Sequence, residues 1–100
     1  MELRPALIVS RPLGAATVPL HYALMITSAA NRRWPDDISL EDDHALFGLP
    51  RPSLIRMAKI ASIAADGVTF IGQLNGAKLA AVREALQRTV DIIPPLSLPR

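Results

Sequence analysis

The segment GLPRPS, Gly48–Ser53, comes directly before the longest strand that the sequence predicts. Two segments upstream complete the pattern: RPALIVS at Arg4–Ser10 and ALMITS at Ala23–Ser28. Short apolar runs bounded by proline, glycine or hydroxyl residues are typical of buried strands. The three segments therefore predict one strand after an Arg-Pro pair, one that ends in Thr-Ser, and one that begins after the second proline of GLPRPS.

The apolar spacing predicts five strand segments in all. They are Leu3–Ser10, His21–Ser28, Asp37–Glu41, Ser53–Ile63 and Val68–Gln73. Ser53–Ile63 alternates imperfectly, so it is interpreted as one long strand or as two strands joined by a bulge near Ala58. Asp66-Gly67 is expected to supply the positive φ of a tight turn, after which Val68–Gln73 returns along the sheet.

A helical period replaces the strand pattern near the C-terminus. Apolar residues recur at i, i+3, i+7 and i+11, namely Leu79, Val82, Leu86 and Val90. This spacing predicts an amphipathic helix over about 76–90 that packs against the sheet, with Asn75 as its N-cap. Pro94 and Pro95 cannot continue a helix, so 93–100 is expected to be a proline-rich tail.

Five or six short strands and one terminal helix, without strand–helix alternation, predict a mostly β fold. The expected architecture is a small barrel with the helix packed across it. A length of 100 residues is that of one domain, placed at 1–92.

Composition excludes several classes of protein. Half of the residues are hydrophobic, which excludes a disordered chain, and no apolar run reaches the ~18–20 residues of a membrane helix. The absence of cysteine excludes disulfides, thiolate zinc sites and a cysteine nucleophile, and fits a reducing cytoplasm. The acidic cluster at 36–44 lacks the spacing of a calcium loop, so no metal site is predicted.

The charge is unevenly distributed along the chain. Residues 1–50 carry −2 and residues 51–100 carry +4, and nine arginines stand against two lysines. Arginine forks match the geometry of phosphate, so an anion-binding face is one interpretation. A general preference for arginine explains the ratio equally well.

Five segments in order resemble the PemK/MazF family of endoribonuclease toxins, from Arg4 to about Val90. They are RPALIVS, LMITSAANRRWP, GLPRPSLIR, AKIASI and IGQLNGAKLAAVREAL. The resemblance implies an SH3-like barrel and cleavage of single-stranded mRNA without a metal or other cofactor. It also implies a cytoplasmic bacterial homodimer and an antitoxin partner whose acidic, partly disordered tail covers the active face, with DNA binding together with that antitoxin as a further expectation.

Cleavage of RNA by its own 2′-OH requires donors that stabilise charge on the phosphate. The resemblance assigns these catalytic roles to Arg4 and Thr27, and Ser28 is a further candidate for substrate binding. Arg32, Arg33 and Trp34 form a basic and aromatic cluster suited to phosphate contact and base stacking. The alternative for this cluster is a loop whose tryptophan covers one end of the barrel.

The sequence also departs from the family pattern. Members usually carry a further strand and a loop before the Arg-Pro pair, whereas this chain begins three residues before it. An open barrel edge predicts self-association and weak or absent nuclease activity. The alternative function is therefore a catalytically silent SH3-like module that binds a peptide or RNA.

Overall fold

The computed structural model describes residues 4–14 and 17–91 together with Leu96 and Leu98. Its strands are β1 (Ala6–Ile8), β2 (Leu20–Ser28), β3 (Ile38–Leu40) and β4 (Ser53–Ala64). Short 3₁₀ turns occupy His44–Phe47 and Ala65–Gly67, and the helix α1 spans Gly76–Thr89. The strands form one antiparallel sheet in the order β1-β2-β4-β3.

The long pairing of β2 with β4 contains the irregularity expected near Ala58. Leu24 pairs with Ile60, whereas the next residue, Met25, pairs with Arg56. Residues 57–59 of β4 therefore have no partner on β2, and the predicted bulge is confirmed. A bulge bends a strand and increases its twist. The sheet curls into a half-barrel, which confirms the predicted mostly β fold with a C-terminal helix.

The core lies between the curled sheet and α1. From the helix it receives Val82 and Ala85, which are buried, with Leu79 and Leu86 packed partly buried beside them. Val90 is 61% exposed and lies just past the last helical residue, so the predicted apolar face ends one turn earlier than expected. The N-cap is confirmed, because Asn75 Oδ1 accepts a hydrogen bond from Lys78 N at 2.9 Å. Among residues 4–14 and 17–91, no helix combines the length and apolarity that crossing a bilayer demands.

The predicted strand Val68–Gln73 is wrong, and the described residues contain four strands rather than five or six. Residues 65–67 form a 3₁₀ turn in which Gly67 does not adopt a positive φ, so the expected tight hairpin turn is also wrong. Gly72 instead packs on the main chain of Phe47, where an added Cβ would lie 2.0 Å from the carbonyl oxygen. This contact packs Val68–Gln73 against the first 3₁₀ turn, where it does not pair with a strand of the sheet.

Two predictions fall partly on residues that the structure does not describe. The expected first residue of the first strand, Leu3, lies outside the described residues, and β1 begins at Ala6. Most of the expected tail, 93–100, lies outside them as well.

The sheet topology brings three chain segments to one end of β2. β1 and β4 both run antiparallel to β2, on either side of it. The first residues of β1 and β4 therefore meet the last residues of β2: Ala6 pairs with Met25, and Ser53 pairs with Ser28. Arg-Pro, Thr-Ser and the end of GLPRPS thus lie together in space although they are far apart in sequence.

Candidate functional site

A cavity of about 510 Å³ lies where these three segments meet. Its polar lining residues are Arg4, Thr27, Ser28, Asn31, Arg51 and Ser53. They supply two guanidinium groups, three hydroxyls and one amide, and none of the described residues that line the cavity carries a carboxylate. Such a set of donors without a negative charge is suited to bind an anion.

The two residues predicted to be catalytic line this same cavity. Arg4 is exposed and precedes β1, and Thr27 is half-buried near the end of β2. The main chain connects them, because Ile26 N donates a hydrogen bond to Pro5 O at 3.2 Å. Ser28, the predicted substrate contact, lines the cavity too, so the structure brings these three residues together.

Asn31 holds the Thr27 hydroxyl from the turn that follows β2. Its Nδ2 donates to Thr27 Oγ1 at 2.6 Å. The turn is closed by hydrogen bonds from Asn31 N to Ser28 O at 3.0 Å and from Ala30 N to Ser28 Oγ at 3.2 Å. With one oxygen lone pair engaged by Asn31, the hydroxyl proton of Thr27 remains available to an acceptor in the cavity.

Arg51 reaches the cavity from the other side, on the loop before β4. Prolines flank it on both sides, and Ser53 Oγ donates to Arg51 O at 2.8 Å. Sequence reasoning singled out GLPRPS as a segment but assigned Arg51 no role, and it also missed Asn31. The available signals were the arginine between two prolines and the amide four residues after Thr27.

Trp34 belongs to a separate cluster built around Arg56. The Arg56 guanidinium lies 3.9 Å from the centre of the Trp34 ring and donates to Arg32 O. Its Nε is 3.5 Å from Asp37 Oδ2, an ion pair rather than a hydrogen bond, while that same oxygen accepts from Trp34 N at 2.8 Å. The side chains of Arg56 and Asp37 are only 9% and 1% exposed. Their buried ion pair therefore stabilises the loop before β3.

None of Arg32, Arg33 and Trp34 lines the cavity of Arg4 and Thr27. Arg33 forms an ion pair with Glu41, and one face of Trp34 is covered by Arg56. These contacts favour the alternative in which the cluster closes one end of the sheet. Contact of these residues with RNA stays a prediction, and it would require a substrate that extends beyond the cavity.

The comparisons with known proteins agree with this architecture. The family model of the PemK-like, MazF-like toxins of type II toxin–antitoxin systems matches residues 1–90. No curated protein sequence is significantly similar to the chain.

Two solved toxins share the fold. The crystal structure of an Mtb toxin superposes with a TM-score of 0.68 at 23% identity, covering 87% of this chain and 92% of that one. The Mycobacterium tuberculosis toxin MazF-mt6 gives a TM-score of 0.66 at 23% identity, with 85% and 83% covered. At this level of identity the likeness concerns the fold.

Proposed function

Because the chain belongs to the family of PemK-like, MazF-like toxins of type II toxin–antitoxin systems, we propose that it is an endoribonuclease that cleaves single-stranded mRNA without a metal ion or other cofactor. One observation carries the proposal: Arg4 and Thr27 line a single cavity whose described polar residues are all arginine, hydroxyl or amide side chains. A cavity of this kind complements the charge that develops on a phosphate during cleavage.

In the proposed reaction the 2′-OH next to the cleaved bond attacks the phosphorus. The O2′–P bond forms, the P–O5′ bond breaks, the 2′-OH loses its proton to solvent, and the leaving O5′ takes one from solvent. The products are a 2′,3′-cyclic phosphate and a 5′-hydroxyl. Because the attacking group is the 2′-OH, DNA is not a substrate.

The protein contributes charge stabilisation and orientation. The Arg4 guanidinium binds the non-bridging oxygens of the phosphate, with donors fixed in a planar fork. The Thr27 hydroxyl donates to the same phosphate, and Asn31 sets its direction through the 2.6 Å hydrogen bond. Ser28 adds a hydroxyl at the cavity wall.

The family also supports proposals about partners. An antitoxin with an acidic, partly disordered segment would find a complementary surface at the cavity lined by Arg4 and Arg51. A homodimer would bury exposed apolar side chains such as Leu46 and Phe70, which are 80% and 78% exposed. We further propose that toxin and antitoxin together bind DNA, and that the protein acts on mRNA in the bacterial cytoplasm.

The test is cleavage of a randomised single-stranded RNA in the presence of EDTA. We expect the wild-type chain to cut RNA, at a low rate, and to leave the all-2′-deoxy oligonucleotide intact. We expect Arg4→Ala to abolish cleavage and Thr27→Ala to lower the rate roughly 10²–10³-fold, the scale of one lost oxyanion donor. Arg88→Ala is the control, because Arg88 is exposed on α1 and does not line the cavity. Cleavage by Arg4→Ala at the wild-type rate contradicts the assignment, and a folded wild-type chain that cuts no RNA favours a silent binding module.

A further inference from the structure

The cavity contains a second guanidinium group, that of Arg51, which the proposed reaction does not use. We propose that Arg51 binds a second backbone phosphate of single-stranded RNA, next to the one that is cleaved. It would therefore determine RNA affinity, while Arg4 acts on the chemical step. This inference rests on the proposed function, because it names a contact of the same site.

The position of Arg51 relative to Thr27 carries the first part of the argument. β2 lies between β1 and β4, so Arg4, just before β1, and Arg51, just before β4, approach the end of β2 from opposite sides. Both line one cavity of about 510 Å³ with Thr27. This volume is within the range of about 300–1,000 Å³ that drug-sized ligands occupy, whereas one phosphate group fills only a small part of it.

The Arg51 side chain is also available for a ligand. Within the described residues, its guanidinium forms no ion pair and no hydrogen bond. In contrast, Arg33 is paired with Glu41, and Arg56 is held by Asp37 and the Trp34 ring. The described residues that line the cavity offer Arg51 no carboxylate, and its fork of donors is suited to an external anion.

The main chain beneath Arg51 is fixed in place before any ligand arrives. Proline rings at 50 and 52 restrict φ on both sides of it. Ser53, only 3% exposed, donates to Arg51 O at 2.8 Å, and Ala29 N donates to Pro52 O at 2.9 Å. Because the main chain at Arg51 is already ordered, binding a phosphate restricts only the side chain and costs less conformational entropy.

Salt dependence separates a phosphate contact from a general structural role. The probe is a fluorescein-labelled, randomised 12-mer RNA that is fully 2′-O-methylated and so cannot be cut, with affinity measured by anisotropy over a range of NaCl concentrations. We expect Arg51→Ala to reduce the slope of log K against log salt by about 0.7, the contribution of one phosphate contact in a single strand. We expect Arg51→Lys to retain the slope, and Arg88→Ala to leave both slope and affinity unchanged.

Cleavage kinetics provide the second readout, on an unmodified randomised RNA. We expect Arg51→Ala to raise KM about tenfold while kcat stays within about threefold of wild type. A contact that is equally strong in the ground state and in the transition state contributes to binding and not to the chemical step. Thermal unfolding at the wild-type midpoint verifies the fold of each variant. If Arg51→Ala does not fold, Arg51→Gln, which keeps part of the aliphatic stem and a polar end but removes the charge, takes its place with the same expected results.

The outcomes are distinguishable. If the wild type cuts RNA but loss of the Arg51 charge leaves the salt slope unchanged, the inference is overturned and the proposed function stands. If kcat falls as far as it does in Arg4→Ala, Arg51 belongs to the cleaved phosphate, and the assignment to a second phosphate is likewise overturned. If the wild type neither binds nor cuts RNA, the proposed function fails and this inference fails with it.

Discussion

The direction of one hydroxyl proton is the residue-scale feature on which the proposed chemistry depends. A threonine hydroxyl has one proton to donate and two lone pairs. Asn31 Nδ2, 2.6 Å from Thr27 Oγ1, uses one of those lone pairs. The proton is then free for another acceptor, and Thr27 lines the cavity in which a phosphate would bind. Asn31 is therefore a positioning residue for Thr27.

We predict that Asn31→Ala lowers the single-turnover rate of RNA cleavage about fivefold with little change in KM, because one oriented hydrogen bond is worth about 1 kcal/mol. In a Thr27→Val background the same substitution should cost nothing further, since no hydroxyl remains to be oriented. Asn75→Ala is the matched control: it removes the cap of α1, costs about 1 kcal/mol of stability and leaves the rate unchanged. Equal losses from Asn31→Ala with and without the Thr27 hydroxyl would contradict this role.

Among the elements, α1 has a buried face that ends earlier than its hydrophobic period predicts. Its spacing located the buried face at Leu79, Val82 and Leu86 but continued that face to Val90. The helix ends at Thr89, and Val90 adopts extended backbone angles while its N–H caps Leu86 O. Ala85, 1% exposed, completes the buried face instead.

Two valine-to-alanine substitutions test this packing with the same chemical change. Val82 is 3% exposed and Val90 is 61% exposed. We predict that Val82→Ala lowers the free energy of unfolding by about 2 kcal/mol, through two lost methyl groups and the resulting cavity, whereas Val90→Ala changes it by less than about 0.5 kcal/mol. Urea unfolding measures both. Similar losses in the two variants would show that α1 is packed in another orientation.

Local sequence predicted the strands that are bounded by proline or end in hydroxyl residues, and it predicted the bulge in β4. It failed for Val68–Gln73, whose valine, threonine, phenylalanine and isoleucine favour a strand as strongly as the tyrosine, isoleucine and threonine of β2. The difference arises from a contact that is remote in sequence, that of Gly72 with Phe47. The site divides in the same way. Arg4 and Thr27 follow from the family resemblance, whereas Asn31 and Arg51 join them only through the folding of a turn and the pairing of strands.

At the scale of the whole molecule, the segments around Phe47 and Ile71, which are distant in sequence, pack main chain against main chain at two glycines. A Cβ on Gly48 would lie 2.0 Å from Ile71 O, and one on Gly72 would lie 2.0 Å from Phe47 O. Gly48 also adopts a φ of +81°, in the region that favours glycine. These two segments share a small cavity of about 50 Å³ with Ile26, which precedes Thr27 and lines the candidate site as well. The packing of these two segments is therefore linked to the candidate site through Ile26.

We predict that Gly72→Ala is strongly destabilising, because the atoms that its methyl group meets belong to the main chain and cannot move aside as a side chain can. The expected loss in the free energy of unfolding is about 3 kcal/mol, the upper end for overpacking, and the cleavage rate should fall as well because Ile26 and Thr27 are displaced. Gly67→Ala is the matched control: an added Cβ meets nothing within 4 Å, and φ is not positive. That variant should be as stable as wild type or more stable by about 0.4–1 kcal/mol, through a less flexible unfolded chain. Urea unfolding and RNA cleavage of both variants provide the comparison, and wild-type stability in Gly72→Ala would mean that the segment does not pack on the 3₁₀ turn at all.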